Sequence, residues 1–201
     1  MTTQYSLTSR TNRLTQLNTD IGINAVIKLF SGSAPANCGT ADSGTLGVTF
    51  AGNATQFGTV ASQVLTASAV ANATAAATIT AGYYRIYPAA ATTTNAVTQG
   101  TCFQTTALVT NALTAANSNV LNFASTTGVV VGMTATGTGY PAGATVISLT
   151  STSVTLSAVS TAGVASGATI TFGGDMNLTN TSIASGQTCT FGSLTITAFG
   201  V

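Results

Sequence analysis

The stretch Ile79–Tyr87, ITAGYYRIY, constrains the fold of this chain more than any other feature. Successive side chains of a β-strand point to opposite faces, so a strand here separates a largely apolar set from an aromatic and basic set. Pro88 ends the strand because proline cannot donate to a β-ladder. The pattern predicts a central strand with one face in a core. Its opposite face carries an aromatic–arginine–aromatic stripe of Tyr83, Arg85 and Tyr87.

The rest of the chain also favours strands, and charge is almost absent from it. Val-, Ile- and Thr-rich runs broken by Gly and Asn suit pleated sheets, which predicts an all-β protein. Charged residues make up 3% of the sequence, against about a quarter in ordinary soluble domains. β proteins normally protect sheet edges with charge, while disorder fits poorly with 45% hydrophobic residues. We therefore expect partner chains to cover the sheet edges in a permanent assembly.

The same composition excludes several partners and locations. Binding to nucleic acid needs many Lys and Arg contacts to phosphate, so no nucleic acid is expected. No apolar run approaches the roughly 20 residues of a membrane span, and residues 1–5 lack the pattern of a secretory signal peptide. The three widely spaced cysteines fit small side chains in a reducing compartment, with a Cys102–Cys189 disulfide as the alternative.

The chain has few residues of the types that carry out catalysis. Histidine is absent, whereas general acid–base chemistry uses His or paired carboxylates. No residues have the spacing of a metal site, and no glycine motif predicts a phosphate-binding loop. The three aspartates each lie within two residues of a glycine and are interpreted as turn residues: Asp20, Asp42 and Asp175. We expect neither an enzyme nor a bound cofactor.

The chain divides into an arm, a body and an insert. Residues 1–20 form an N-terminal arm or a short amphipathic helix, with leucines at helical spacing. Residues 21–113 and 174–201 form the body. Residues 114–173 contain short strands at regular spacing with Gly- and Ser-rich turns, which predicts a small β module with its own core.

Two further body strands are predicted. Ile23–Phe30 alternates polar and apolar residues, so Ile23 is expected to face the core and Phe30 to face outward. Ala96–Phe103 follows a polar turn and is expected to form a hairpin with Ile79–Tyr87.

Several segments resemble, in order, a family of small structural proteins of tailed bacteriophages and prophages. The segment from Asp175 to Thr197 is the most specific of them. The others are Val26–Pro35, Ala41–Leu46, Ala81–Tyr87 and Gln99–Gly100. The resemblance implies a compact β-sandwich body with no enzymatic activity, built into the virion. Several such proteins decorate or cement the capsid, commonly as homotrimers.

The insert at 114–173 departs from the pattern of that family, whose members pass almost directly from the Gln-Gly strand to the C-terminal segment. It resembles small β modules appended to phage fibre and tail proteins, on the residues Val131–Gly143 and Val154–Ser157. Such modules occur on heads and on tails, so the insert does not by itself distinguish the two locations.

These observations predict a non-enzymatic virion protein that is assembled in the host cytoplasm. The leading interpretation is a capsid decoration (cement) protein that bridges capsomers, with the major capsid protein and other copies of itself as partners. The alternative is a tail or fibre component whose module binds a host surface or a glycan. Aromatic residues gathered in an exposed groove would favour glycan binding.

Five residues are predicted to line subunit contacts: Tyr83, Arg85 and Tyr87 of the central strand, and Arg10 and Arg13 of the arm. Tyr and Arg are the residue types enriched in interface hot spots. A buried Arg85 would need a carboxylate, carbonyl oxygens or water around its guanidinium group.

Overall fold

A computed structural model describes residues 5–54, 57–61, 64–141, 143–191 and 194–197. Strands account for 39% of the chain and the described residues contain one short helix, which confirms the predicted all-β, sandwich-type fold. In chain order the elements are α1 (Leu7–Ile21), β1 (Val26–Ser31), β2 (Leu46–Ala51), β3 (Val64–Thr66), β4 (Ala73–Thr74), β5 (Ile79–Tyr87), β6 (Thr98–Gln104), β7 (Thr106–Val109), β8 (Val120–Asn122), β9 (Thr134–Thr136), β10 (Val146–Leu149), β11 (Ser153–Leu156), β12 (Thr169–Gly173), β13 (Met176–Leu178), β14 (Ser182–Ile183), β15 (Thr188–Cys189) and β16 (Thr195–Thr197).

The chain forms two compact units. The first, called the body, comprises Met1–Cys102 and Asn180–Val201, and the second, called the module, comprises Phe103–Thr179. The module is wider than the insert predicted at 114–173, because β7 precedes residue 114 and pairs with β12 inside it. Independent folding of the two units stays a prediction.

The main sheet of the body contains four antiparallel strands in the order β6-β5-β1-β2, and β14 pairs with the start of β5. β5 lies in the interior of this sheet, as its sequence predicts. Arg85 of β5 lies opposite Lys28 of β1 on one side and opposite Gln99 of β6 on the other. The predicted hairpin between β5 and β6 is therefore confirmed.

The apolar face of this sheet forms the core of the body. Ile27 and Ile86 have no exposed surface, and Leu29 is 2% exposed. The short strand pairs β3–β16 and β4–β15 supply further elements of the body. Phe50 of β2 meets Phe191 edge to face, with 5.5 Å between the ring centroids. Burying each of these large apolar side chains contributes about 1.5–3 kcal/mol to the stability of the body.

Helix α1 is the amphipathic helix that was one of the two possibilities for the N-terminal arm. Ser6 caps it, because its Oγ accepts a hydrogen bond from Ser9 N at 3.1 Å. Gly22 follows the helix with a φ of 70°, a left-handed conformation that glycine adopts without strain. Leu14 and Ile21 are buried and attach the helix to the body core.

Strand β1 begins later than predicted, at Val26. Asn24 has a φ of 56°, which a β-ladder does not accommodate, and Ile23 is 65% exposed instead of facing the core. At the other end, Phe30 is buried and stacks on Tyr83, with 5.0 Å between the ring centroids. The face of β1 that was predicted to point outward is therefore covered.

The six strands β7 to β12 of the module form a closed ring. They make two antiparallel sheets, in the orders β10-β11-β8 and β7-β12-β9. Bridges between Thr110 and Phe123 and between Thr134 and Thr145 join the two sheets at both ends. The ring encloses a core of its own, in which Phe123 meets Phe172 edge to face at 5.8 Å.

Closure of the ring bears on the inference, drawn from the low charge, that the sheet edges are unprotected. A closed ring has no free sheet edge, so the module covers its own edges. In the body, Ala76 lies at the outer edge of β2, where its N donates to Gly47 O at 2.7 Å. Residues of the same chain thus contact these edges, and the expectation of a permanent assembly with partner chains stays a prediction.

Candidate functional site

The stripe formed by Tyr83, Arg85 and Tyr87 lies inside the body. Each of the three side chains has 0% exposure, and Tyr84 and Ile86 on the other face of β5 are buried as well. Residues 32–45, called the β1–β2 loop, cover this face of the sheet. A loop of the same chain therefore covers the three side chains that were predicted to line a subunit contact.

Arg85 binds the β1–β2 loop through its whole guanidinium group. Nη1 donates to Thr40 O at 2.9 Å and to Asp42 Oδ1 at 2.7 Å, and Nη2 donates to Asn37 O at 2.9 Å. Nε and Nη2 also donate to Gln99 Oε1, at 3.0 and 2.8 Å. Every nitrogen of the group has an acceptor, which a guanidinium without solvent exposure requires.

Asp42 balances the charge of Arg85. The two side chains form an ion pair at 2.7 Å, in which the Asp42 side chain is 13% exposed. Tyr87 donates its phenolic hydrogen to the same carboxylate oxygen. Because Lys28 lies directly opposite Arg85 in the sheet, two like charges are neighbours, and the carboxylate offsets their repulsion. Asp42 is thus an ion-pair partner and more than the turn residue predicted from sequence.

The surroundings shift the pKa values of two groups in this network. Burial alone lowers the pKa of Arg85, but the interactions with Asp42 and Tyr87 raise it above its ordinary value. Burial and the hydrogen bond to Asp42 raise the pKa of the Tyr87 phenol. Neither group titrates near neutral pH, so neither is suited to general acid–base catalysis.

Gln99 and Tyr83 complete the attachment of the β1–β2 loop. Gln99 Nε2 donates to Pro35 O at 2.6 Å while its Oε1 accepts from Arg85. Tyr83 Oη donates to Ser43 O and accepts from Ser43 N at 3.0 Å. The sequence prediction assigned no role to Gln99. Its position opposite Arg85 in the predicted hairpin is the signal that identifies it.

We call these side chains the Arg85 cluster: Tyr83, Arg85, Tyr87, Asp42 and Gln99. The cluster fixes the β1–β2 loop to the main sheet and leaves the outer side of that loop exposed. The subunit contact predicted for the stripe residues stays a prediction. Because their own side chains have no exposed area, a partner would touch the outer side of the loop that they hold.

Arg10 and Arg13 lie on the first half of α1 and do not join the Arg85 cluster through any hydrogen bond of the described residues. Arg13 is exposed, and its guanidinium carbon lies 3.7 Å from the ring centroid of Tyr5, a cation–π contact. Arg10 is half-buried. Its Nε is fully buried and has no hydrogen-bond partner in the described part of the chain.

The module is nearly uncharged, with Asp175 as its one charged residue. Its aromatic residues are buried or half-buried: Phe103, Phe123, Tyr140 and Phe172. Ten large apolar side chains are exposed among the described residues, and seven belong to the module: Val109, Leu113, Val120, Val130, Val131, Ile147 and Val159.

The remaining candidate groups form no site among the described residues. No three His, Cys, Asp or Glu side chains there are grouped in a way that could hold a metal ion. Cys38, Cys102 and Cys189 form no disulfide, so the Cys102–Cys189 alternative is not formed. Burial raises the pKa of the Cys189 thiol. In the same residues, no helix has the length and apolar character that crossing a bilayer requires.

Comparison with protein-family models, with curated proteins and with solved structures finds no match for this chain. We therefore infer the function from the geometry and charges described above, together with the resemblance of the body segments.

Proposed function

We propose that this chain is a structural protein of a tailed-bacteriophage virion, namely a capsid decoration (cement) protein that stabilises the head by bridging capsomers. Its partners are the major capsid protein and further copies of the chain in a homotrimer. The resemblance of the body segments to small virion proteins supports this proposal. The distribution of charge supports it independently.

The observation that carries the proposal is how the chain uses its few charges. Arg85 and Asp42 form an internal ion pair, so five charged residues remain for the rest of the chain. Surfaces of ordinary soluble domains carry about 25–35% charged residues, which keep molecules apart by repulsion. A chain with so few surface charges and with exposed aliphatic side chains is suited to a permanent place in an assembly.

The Arg85 cluster supports the same function. It holds the β1–β2 loop in one conformation, and a loop that is fixed before binding loses little conformational entropy when a partner binds. The exposed residues of this loop are small and uncharged, as at Ala36, Gly39 and Ala41. Small side chains allow close approach to a flat protein surface.

The alternative of a tail component that binds a glycan lacks the feature that would favour it. Ligand sites for small molecules are commonly lined by aromatic side chains in a cleft. In the module, the four aromatic residues are buried or half-buried. A protein partner is therefore the better-supported occupant of the exposed aliphatic surface.

Quantitative mass spectrometry of purified particles tests the proposal. A decoration protein should occur at a fixed and sizeable fraction of the copies of the major capsid subunit, and it should stay with heads after they are separated from tails. A few copies per particle, recovered with the tails, would support the alternative. Absence from purified particles would refute both.

A further inference from the structure

One turn and strand of the body occurs a second time in the module. Residues 184–192, ASGQTCTFG, differ from residues 165–173, ASGATITFG, at two positions. Gly186 and Gly167 both adopt a left-handed conformation, with φ of 80° and 86°. In both turns the residue after that glycine donates its N–H to the carbonyl oxygen of the first alanine, at 3.0 Å in the body and 3.3 Å in the module. The two segments, called the body copy and the module copy, therefore begin with the same turn.

The two copies differ in how firmly neighbouring strands hold them. In the module copy, β12 pairs with β7 over four residues and with β9 on its other side. In the body copy, β15 pairs with β4 over two residues and with no second strand among the described residues. A two-residue ladder with one partner is marginally stable by itself. The body copy is therefore held less firmly than the module copy.

The body copy belongs to a longer segment, Asn180–Thr197, called the return segment, with which the chain re-enters the body after the module. It pairs with the body in three places over two or three residues each, as β14 with β5, β15 with β4 and β16 with β3. Its side chains Ile183, Phe191 and Leu194 are buried in the body. Without them the body would leave core surface uncovered, so each body needs one return segment.

No ion pair can tie the return segment to the body of its own chain. The sequence has no charged residue after Asp175 and none between Asp42 and Arg85, a range that contains β3, β4 and the first residues of β5. Short uncharged ladders specify their partner weakly, and strands of this kind are prone to exchange between copies. Exchange keeps every contact and only replaces the residues of one chain by the same residues of another.

We propose that the return segment is exchanged between copies of this chain, so that each copy completes the body of the next. The inference rests on the proposed function, in which the chain forms a homotrimer, and it names the contact that joins the subunits. Thr179 and Asn180 precede β14, are exposed and lie outside the strands, so they are suited to extend as a hinge. Head-to-tail exchange among three copies gives a closed trimer.

The contacts identify a second copy of this chain as the partner. The places on β3, β4 and β5 that receive the return segment already match its sequence, including the buried positions of Ile183, Phe191 and Leu194. A different protein would have to reproduce that sequence in order to form the same ladders. Exchange also accounts for permanence, because subunits separate only when these apolar side chains leave the core of their neighbour.

Cysteine pairs at equivalent positions of the two copies test the inference in the full-length protein. Thr188 lies opposite Thr74 in the body, and Thr169 lies opposite Val109 in the module. All four side chains are exposed. Opposite residues of antiparallel strands have Cα atoms about 4.5–5.5 Å apart, a distance that a disulfide spans. After oxidation, Thr74→Cys/Thr188→Cys should run as a covalent trimer on non-reducing gels, whereas the matched control Val109→Cys/Thr169→Cys should run as a monomer.

Co-expression of two single variants shows whether the segment crosses between chains. Thr74→Cys and Thr188→Cys are produced together with different tags and then oxidised. Exchange predicts a disulfide that joins the two differently tagged chains. Each variant produced alone should show only the background from the three native cysteines, Cys38, Cys102 and Cys189.

The outcomes separate this inference from the proposed function. A non-covalent trimer whose engineered disulfide lies within each chain would overturn the exchange and leave the proposed function standing. A monomer with that disulfide would overturn the exchange and the homotrimer together. Equal amounts of interchain product from the body pair and the module pair would indicate random collision and overturn the exchange. Absence of any disulfide in the body pair would overturn the pairing of β15 with β4 on which the inference depends.

Discussion

Replacing Arg85 and Asp42, separately and together, measures how the body holds the β1–β2 loop. Arg85→Met keeps an apolar stem but removes every donor of the guanidinium group. It leaves the carbonyl oxygens of Asn37 and Thr40 without those bonds, and the Asp42 carboxylate without its cation. Removing one partner of a buried ion pair costs about 3–5 kcal/mol. We expect Arg85→Met to lower the free energy of unfolding of the body by that amount.

Asp42→Ala should cost less, about 3 kcal/mol, because Arg85 keeps its neutral acceptors. In the double variant neither charge is left unpaired, so the loss should fall short of the sum by about 2–3 kcal/mol. An exposed ion pair would couple by about 1 kcal/mol at most. Arg13→Met is the matched control: it removes an exposed arginine and should change the stability by less than about 0.5 kcal/mol.

Urea unfolding at several protein concentrations provides the assay, followed by the near-UV circular dichroism of the tyrosines, three of which lie on β5. An internal cluster predicts losses that are independent of protein concentration. A subunit contact predicts losses that change with concentration, because association stabilises by mass action. A coupling energy below about 0.5 kcal/mol, or losses seen only at concentrations where the chain associates, would refute the internal role.

Two further predictions concern pH and the module. Burial raises the pKa of the Tyr87 phenol, so its contribution to stability is present below the ordinary tyrosine pKa of about 10 and is lost as pH rises above that value. Urea unfolding from about pH 9 to 11 should therefore show a decline in the free energy of unfolding, and Tyr87→Phe should reduce that decline. An equal decline in both proteins would contradict the assignment. A fragment of residues 103–179 should unfold cooperatively in thermal melts because its ring of six strands is closed. A fragment of residues 114–173 lacks β7, the partner of β12, and should not unfold cooperatively. Equal behaviour of the two fragments would contradict closure of the ring through β7.

Alternation along Ile79–Tyr87 was enough to predict an interior strand and its two faces, because side-chain direction in a strand depends only on local backbone geometry. The hairpin with β6 was predictable for the same reason, since its register follows from neighbouring residues. The requirement of Arg85 for a carboxylate and carbonyl oxygens was also predictable, because it follows from the chemistry of the side chain. The composition likewise determined the all-β class and the scarcity of surface charge.

What covers the second face of β5 was decided only by the tertiary structure. Arg85 and Asp42 are 43 residues apart in the chain, and no local pattern shows that the β1–β2 loop folds back over the sheet. Closure of the module could not be predicted for the same reason. The bridge between Thr110 and Phe123 joins the ends of β7 and β8, and the local sequence of each strand does not show that the two pair. Local propensity determines which segments form strands, whereas long-range hydrogen bonds and burial determine which strands and loops pack together. The sequence therefore determined the strand, its faces and the chemistry of Arg85, and the tertiary contacts decided that the chain itself satisfies that chemistry.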